Sequence, residues 1–291
     1  MSTKQPYVSI GLPVYNGEKF IKEAIESILT QTFGNFELII SDNASTDNTE
    51  KICRQYAAQD TRISYHRHGE NRGASWNFNH VFHLAKGKYF KWAAADDVCA
   101  SSFLARCVEI LEGDSSVVLA YPKTIFTKSN GQKWWLGKSV PQLASNQDYE
   151  RFRAVISDFW CLEVFGLMRT QTLQNTSLIA PYYGSDKLLL TQLSLKGRFE
   201  EVPEFLFFRR CHKLQSSRLS AQEREVWIDP INNLKPKFLG NKSFLRYFST
   251  IWQAKLDWYN RTNCLLVLLQ YLTAASTWRK FFWKQQPTRS S

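Results

Sequence analysis

Lys88-Tyr89-Phe90-Lys91-Trp92-Ala93-Ala94-Ala95-Asp96-Asp97 is the stretch on which the fold turns. Its first half is aromatic and apolar enough for a buried strand, and it follows Gly87, a residue that stops helices. It then breaks into two adjacent carboxylates. In open α/β sheets, ligands sit beyond the carboxyl ends of the strands. Paired acids at that position repel each other. A hard divalent cation is their natural partner, its shell completed by phosphate oxygens. The same pair would also suit a helix N-terminus, which welcomes acids, so the residues upstream have to decide between the two readings.

Upstream, Val8 to Tyr15 reads as a first buried strand that stops at Pro13, with Asn16-Gly17 as its turn. A helix over 18–30 follows, with Phe20, Ile21, Ala24, Ile25, Ile28 and Leu29 as one apolar stripe. Residues 36–41 form a second buried strand ending at Asp42, and 43–47 a polar loop in which Asp47 and Glu50 have the spacing of a capping box. A helix to Ala58, a short strand over 63–66 and the turn Asn71-Arg72-Gly73 come next. The helix after that turn carries Ala74, Phe78, Val81, Phe82 and Ala85 inward, and the 88–94 strand closes this half. Strands alternating with helices of this length predict an α/β, three-layer fold with a mainly parallel central sheet and right-handed crossovers. Asn16, Asp42 and Asp96 each follow a strand, the convergence that a nucleotide site needs. Neither GxGxxG nor GxxxxGK[ST] occurs, so a metal and isolated side chains would have to neutralise bound phosphates.

Downstream, the pattern predicts a helix over 101–112 and a strand over 117–121. Residues 122–157 have weak periodicity, a hairpin-type turn at Lys128-Ser129-Asn130-Gly131 and an exposed Trp134-Trp135 pair. Such a pair could stack on an acceptor sugar, although aromatic pairs more often pack. Pro181-Tyr182-Tyr183-Gly184-Ser185-Asp186 leads into a helix carrying Leu188, Leu189, Leu190, Leu193 and Leu195. Residues 199–208 read as an antiparallel strand pair, followed by Arg209-Arg210-Cys211-His212.

Four stretches then fall into one pattern: Val8-Ser9-Ile10-Gly11-Leu12-Pro13-Val14-Tyr15-Asn16, Ser41-Asp42-Asn43-Ala44-Ser45-Thr46-Asp47, Asn71-Arg72-Gly73 and Ala94-Ala95-Asp96-Asp97. In this order, each at a strand end, they make the chain resemble the family 2 inverting glycosyltransferases, which have the GT-A fold. Weaker matches at Gly184–Asp186 and Arg209–Ser217 extend the likeness over three-quarters of the chain. The resemblance implies a GT-A (nucleotide-diphospho-sugar transferase) catalytic domain over 6–220 and a basic, aromatic-rich helical extension over 221–291. It implies hexosyl transfer with inversion, as in polysaccharide biosynthesis, from a nucleotide-sugar donor (a UDP-sugar) to a hydroxyl on a glycan or lipid-linked acceptor. Divalent manganese or magnesium is the implied cofactor.

The resemblance also implies roles. Asp42 bonds the nucleotide base, in a pocket walled by the backbone of Pro13 and Tyr15. Asn16 and Asn71 lie on the donor side. Asp96 is the metal-binding acid, and Asp97 reaches the donor sugar or the acceptor. Asp186 is the catalytic base. His212 contacts the metal or diphosphate, with Arg210 beside it as a donor-binding residue. The chain departs from the family pattern at Ala94, Asn43 and Ser185, where the family carries acids. Taken singly, Asp42 also suits a turn, Asp186 a helix dipole, and His212 a structural or exposed position.

The chemistry explains why these residue types are needed. The leaving diphosphate gathers negative charge that a cation, Arg or His can stabilise. The acceptor hydroxyl is a poor nucleophile, and a positioned base is worth about 10²–10⁴-fold. His66, His68, His80 and His83 receive no role, because His80 and His83 share a helix face without a third ligand nearby.

Charge narrows the partners. The formal net charge of the 291 residues is +11. From Ile231 onward ten Lys or Arg face one acid, Asp257. The rest of the chain is nearly balanced, which argues against a general polyanion-binding fold, and no nucleic-acid motif accompanies the basic tail. Cys264 to Leu269 is apolar but too short to span a bilayer. Trp258, Tyr259, Trp278, Phe281, Phe282 and Trp283 alternate with Arg261, Arg279, Lys280 and Lys284, which suits an anionic membrane surface. Six cysteines without a CxxC pair, and no signal peptide, predict free thiols in the cytoplasm, with a peripheral position at the inner membrane surface. A different class of function, an inert sugar-nucleotide or glycan-binding protein of the same fold, is favoured by Ala94.

Overall fold

The first strand, β1 (Val8–Val14), is buried at every residue, as an apolar run covered by helices on both faces must be. A computed structural model of the chain describes residues 5–157, 160–213, 215–230 and 239–283. β1 lies in parallel between β2 (Phe36–Asp42) and β4 (Tyr89–Trp92), and β2 lies in parallel beside β3 (Ile63–Arg67). Helices α1 (Ile21–Leu29), α2 (Thr49–Gln59) and α3 (Ala74–Leu84) make the connections. β1 runs on through Pro13. The Gly11 carbonyl accepts from the Ala93 N–H at 2.8 Å, so Gly11 and then Pro13 turn toward β4. β4 ends at Trp92, and the N–H that proline lacks is not missed there.

The second half is β5 (Val98–Cys99), α4 (Phe103–Gly113), β6 (Val117–Lys128), β7 (Lys133–Leu136), α5 (Asp148–Ser157), β8 (Leu167–Arg169), α6 (Thr170–Gln174), α7 (Ser185–Ser194) and β9 (Arg198–Cys211). The sheet runs β3-β2-β1-β4-β8-β6-β9-β5, with β7 on β6. Its first four strands are parallel. β8 enters antiparallel, β9 runs parallel to β6, and β5 and β7 are antiparallel additions.

Three expectations are corrected. Residues 122–157 are mostly regular: β6 continues to Lys128, the 128–131 turn leads into β7, and α5 follows. Residues 199–208 are part of one strand of 14 residues and not a strand pair, because β9 has β6 to lie against along its length. Asp47 and Glu50 form no capping box. Asp47 instead accepts from the Glu18 and Thr49 N–H groups, tying two loops together. The reciprocal box is at α8 (Ala221–Ile228), between Ser220 and Glu223.

One face of the sheet packs Ile21, Ile25, Cys53, Phe103 and Leu104 from α1, α2 and α4. The other packs Val81 and Phe82 of α3 and Leu189, Leu190 and Leu193 of α7 against Phe90, Trp92 and Leu119. Gly11 permits this closeness, since a Cβ there would lie 2.5 Å from Val81 Cγ2. The tail continues as α9 (Leu239–Gln253) and α10 (Trp258–Trp283). Tyr247, Ile251, Cys264, Val267 and Leu268 from these helices share a core with Phe152, Ile156, Leu188 and Leu195. The side chains of Trp278, Arg279, Lys280, Phe281, Phe282, Trp283 and Lys284 lie outside the described residues. No helix among the described residues is long and apolar enough to cross a membrane. The six cysteines are unpaired.

Candidate active site

The loops after β1 and β2 are sewn together. Asn16, in the left-handed region at φ 52°, receives the Thr46 N–H on Oδ1 at 2.8 Å, and its own N–H donates to Ser45 Oγ at 2.9 Å. The Gly17 N–H donates to Thr49 Oγ1, the Glu18 N–H to Asp47 Oδ2 and the Asn48 N–H to Glu18 Oε2. Asn43 extends the seam. Its amide donates to Asn71 Oδ1 at 2.8 Å and to the Gly73 carbonyl, and its Oδ1 accepts the Arg72 N–H. The residue standing where the family carries a second acid is therefore the clasp for the Asn71–Gly73 turn. Gly73 has φ 86°, and a Cβ there would meet the Ile228 carbonyl oxygen and Pro230 Cδ, each at 2.6 Å.

Asp42 is fully buried. Its Oδ1 accepts the Ser45 N–H at 2.8 Å, its Oδ2 accepts the Tyr65 hydroxyl at 2.6 Å, and Arg67 Nε stands 3.8 Å away. Asp42 meets no solvent, so a direct bond from it to a nucleotide base requires the groups covering it to move. Pro13 is buried, whereas Tyr15, Asn16, Arg67 and Asn71 reach the surface beside it.

The acidic corner after β4 is built by β9. Asp96 Oδ2 and His212 Nε2 are 2.8 Å apart. The His212 ring lies 4.8 Å from that of Phe20, at the start of α1. Arg210 holds the corner from below. Its backbone N–H donates to Asp97 Oδ1 at 2.8 Å, Nε to the Asp96 carbonyl at 3.0 Å and Nη1 to the Ser129 carbonyl at 3.0 Å, and Nη2 pairs with Glu23. The Arg210 guanidinium is thus occupied inside the protein. Asp97 is buried, which raises its pKa, and the Asp96 charge raises it further. Arg209, the Arg210 N–H and Lys91 act in the opposite sense. Lys91 is only 2 % exposed, with Nζ donating to the Phe165 carbonyl at 2.6 Å. It is an interior counter-charge to Asp97.

Asp186 enters from the opposite layer. Gly184, at φ 86°, turns the chain into α7, and Asp186 Oδ1 accepts the Lys187 N–H at 2.8 Å. Burial raises the Asp186 pKa, against the Lys187 N–H, the Lys187 charge and Arg209. Arg209 therefore acts on both Asp97 and Asp186, and among the described residues its guanidinium has no hydrogen bond or ion pair. The tail grips the segment before Asp186. Arg246 of α9 lies over Tyr182 at 3.9 Å, and Arg224 of α8 over Tyr183 at 4.5 Å.

The structure thus gathers the predicted residues into two adjoining groups. Asn16, Asp42 and Asn71 line the seam of the first loops. Asp96, Asp97, Arg210 and His212 form the corner, with Asp186 related to it through Arg209. Phe20 and the Gly17–Ala95 approach, 3.6 Å from an ideal Cβ at Gly17, join the two groups. Arg209, Lys91 and Tyr65 went unassigned in the sequence. A pair of arginines on a strand signals that one faces each way, but not which.

Asp96 and His212 supply one carboxylate oxygen and one imidazole nitrogen, and Ala94 supplies nothing. No three His, Cys, Asp or Glu side chains converge among the described residues. One carboxylate oxygen and one imidazole nitrogen could hold manganese or magnesium only as a two-member donor set, with phosphate oxygens and water to fill the other positions.

A parallel half-sheet with acidic strand ends, continued by a mixed half that carries a second acid on a helix start, is the GT-A glycosyltransferase architecture. Solved structures share it. Staphylococcus aureus TarS residues 1–349 in complex with UDP-GlcNAc superposes with a TM-score of 0.67 at 18 % identity, covering 91 % of this chain and 71 % of that one. The mannosyltransferase PcManGT of Pyrobaculum calidifontis, in complex with GDP-Man and Mn2+, gives 0.55 at 16 % identity, covering 94 % and 76 %. The family model for glycosyl transferase family 2 matches residues 9–176. An uncharacterized glycosyltransferase, RP339, of Rickettsia prowazekii (strain Madrid E) is 38 % identical over 241 residues, 77 % of this chain and 70 % of its own. The glycosyltransferase GlyG of Streptococcus pneumoniae serotype 4 is 35 % identical over 114 residues, 38 % of each chain. The chain belongs to glycosyl transferase family 2, and it is a glycosyltransferase enzyme.

Proposed function

We propose that the chain transfers a sugar from a nucleoside-diphosphate sugar to a hydroxyl of a glycan or lipid-linked acceptor, with inversion at the anomeric carbon. The observation that carries this is the meeting of Asp96 with His212 at one strand end, with Arg209 acting on both Asp97 and Asp186. The acceptor oxygen bonds to the anomeric carbon as the bond from that carbon to the diphosphate oxygen breaks. The acceptor proton passes to the Asp186 carboxylate, and the nucleoside diphosphate leaves with the electron pair. Burial of Asp186 strengthens it as a base. Arg209 is the open cation for the departing diphosphate. Arg210, spent on Asp96, Asp97 and Glu23, acts by holding the corner in shape. Asp96 and His212 would hold the manganese or magnesium, which when bound offsets the charge gathering on the diphosphate.

TarS in complex with UDP-GlcNAc and PcManGT with GDP-Man and Mn2+ support a nucleotide-sugar donor, and we take UDP as its nucleotide. Tyr15, Asn16 and Asn71 border the base and ribose, with Pro13 and Asp42 behind them. The catalytic unit spans 6–220 and the helical extension 221–291. An exposed stripe on α9, Leu245, Phe248 and Trp252, lies beside Lys255 and Arg261, and supports a peripheral position on the inner, anionic face of the cytoplasmic membrane.

Donor hydrolysis screened over nucleotide sugars, with and without manganese, tests the transfer. Hydrolysis that disappears in Asp96→Ala supports it. Donor binding without turnover of any donor supports a second reading, an inert sugar-nucleotide or glycan-binding protein, which the alanine at position 94 favours.

A further inference from the structure

Phe126 of β6 stands in register with Trp135 of β7 on one side and Arg209 of β9 on the other. Residues directly opposed on neighbouring strands project from the same face of a sheet. Trp135, Phe126 and Arg209 therefore share one face, and Arg209 is the cation that acts on Asp97 and Asp186. Trp160, just after α5, completes a cluster on that face. The Phe126 ring lies 4.6 Å from Trp135 and 5.3 Å from Trp160, and the two indoles are 5.5 Å apart. Phe126 is buried, but Trp135 remains 39 % and Trp160 46 % exposed. Each indole is held by two other rings while a large part of its surface meets solvent. Rings fixed in place before a ligand arrives lose little freedom on binding.

We propose that Trp135 and Trp160 form the acceptor subsite and that it takes a saccharide, laid with the C–H face of a pyranose ring on the indoles. This rests on the transfer reaction above, which needs an acceptor hydroxyl beside Asp186. The in-register row from Trp135 through Phe126 ends at Arg209, whose charge acts on that carboxylate. An angled indole shelf, its two ring planes inclined by 56° and its row ending in a cation, matches a sugar, which is apolar on its ring face and polar at its rim. Trp134, out of register at the irregularity between Phe126 and Thr127, lies outside the shelf.

The test uses the full chain with UDP present. The probes are methyl β-glucoside, β-galactoside and β-N-acetylglucosaminide with their β-linked disaccharides, followed by indole fluorescence and saturation-transfer NMR. At least one probe is expected to bind. Trp135→Ala and Trp160→Ala are each expected to raise its Kd by roughly tenfold, equivalent to the 1.4 kcal/mol that a factor of ten represents. Trp135→Phe should retain most of the affinity and serves if the alanine variant fails to fold. Trp134→Ala should leave binding unchanged. No binding of any probe, or an unchanged Kd in both the Trp135 and Trp160 variants, overturns the proposal. Donor hydrolysis by the unaltered chain is read separately. Its absence alongside Trp-dependent saccharide binding removes the transfer reading and leaves the shelf as a glycan site.

Discussion

Asp96 Oδ2 and His212 Nε2 stand 2.8 Å apart although 116 residues separate them in the chain. Arg210, two residues before His212, ties the two segments by donating to Asp97 Oδ1 and to the Asp96 carbonyl. β9 carries His212 across the sheet to the strand end where β4 delivers Asp96. If the pair is the metal donor set, His212→Ala should raise the manganese concentration for half-maximal donor hydrolysis by about tenfold or more, since one of two protein ligands is gone. Asp96→Ala should cost about 10²–10³-fold in turnover. Manganese titrations of both variants check this, and a His212→Ala profile that overlays the unaltered chain removes His212 from the set.

Asp186 has a pH dependence of known sign. Burial raises its pKa in the folded chain, so the folded state holds the proton more tightly than the unfolded one. Stability then falls as pH rises from the ordinary aspartate value through the raised one. In the proposed transfer, the carboxylate that would serve as base is the form that burial disfavours. Asp186→Asn should lower transfer by about 10²–10⁴-fold while melting at or above the temperature of the unaltered chain at neutral pH. The acid limb of the transfer profile should lie above the range of an exposed aspartate. A clear drop in melting temperature for Asp186→Asn would contradict this account.

Gly73→Ala should destabilise the chain by about 1–3 kcal/mol, because a side chain at φ 86° is strained and meets the Ile228 carbonyl and Pro230. The same turn is clasped by Asn43, so weaker UDP binding should accompany the loss. Thermal melts and UDP titration measure the two effects.

The membrane surface is tested without cutting the tail, whose helices share a core with α5 and α7. Replacing Leu245, Phe248 and Trp252 with serine should abolish co-sedimentation with phosphatidylserine-containing vesicles at low salt and leave the melting temperature nearly unchanged. Added salt should weaken binding of the unaltered chain, as contacts between basic residues and anionic lipid require.

The parallel half of the fold was legible because each strand is a continuous apolar run punctuated by a polar loop. The strand-end residues Asn16, Asp42 and Asp96 stood out for the same reason. What stayed hidden depends on partners distant in the chain. Asp42 reads as an open carboxylate until Tyr65 and Ser45 close on it. Arg210 reads as a free cation until Glu23 and the Asp96 carbonyl occupy it, leaving Arg209 as the open one. The length of β9 was missed because its partner lies far earlier in the chain, and β6 pairs with it on both sides of the register shifts around Lys123. Lys91 received no reading of its own, and its role depends on a buried acid six positions later.

Tyr182 and Tyr183, each lying under an arginine from the helices after residue 220, tie the tail to the turn that leads into Asp186. Movement of those helices would reach that turn through the two stacked cations. If Asp186 is the base of the proposed transfer, activity assays on a shortened protein would record its misalignment, and a silent truncation would say nothing about whether the intact chain works.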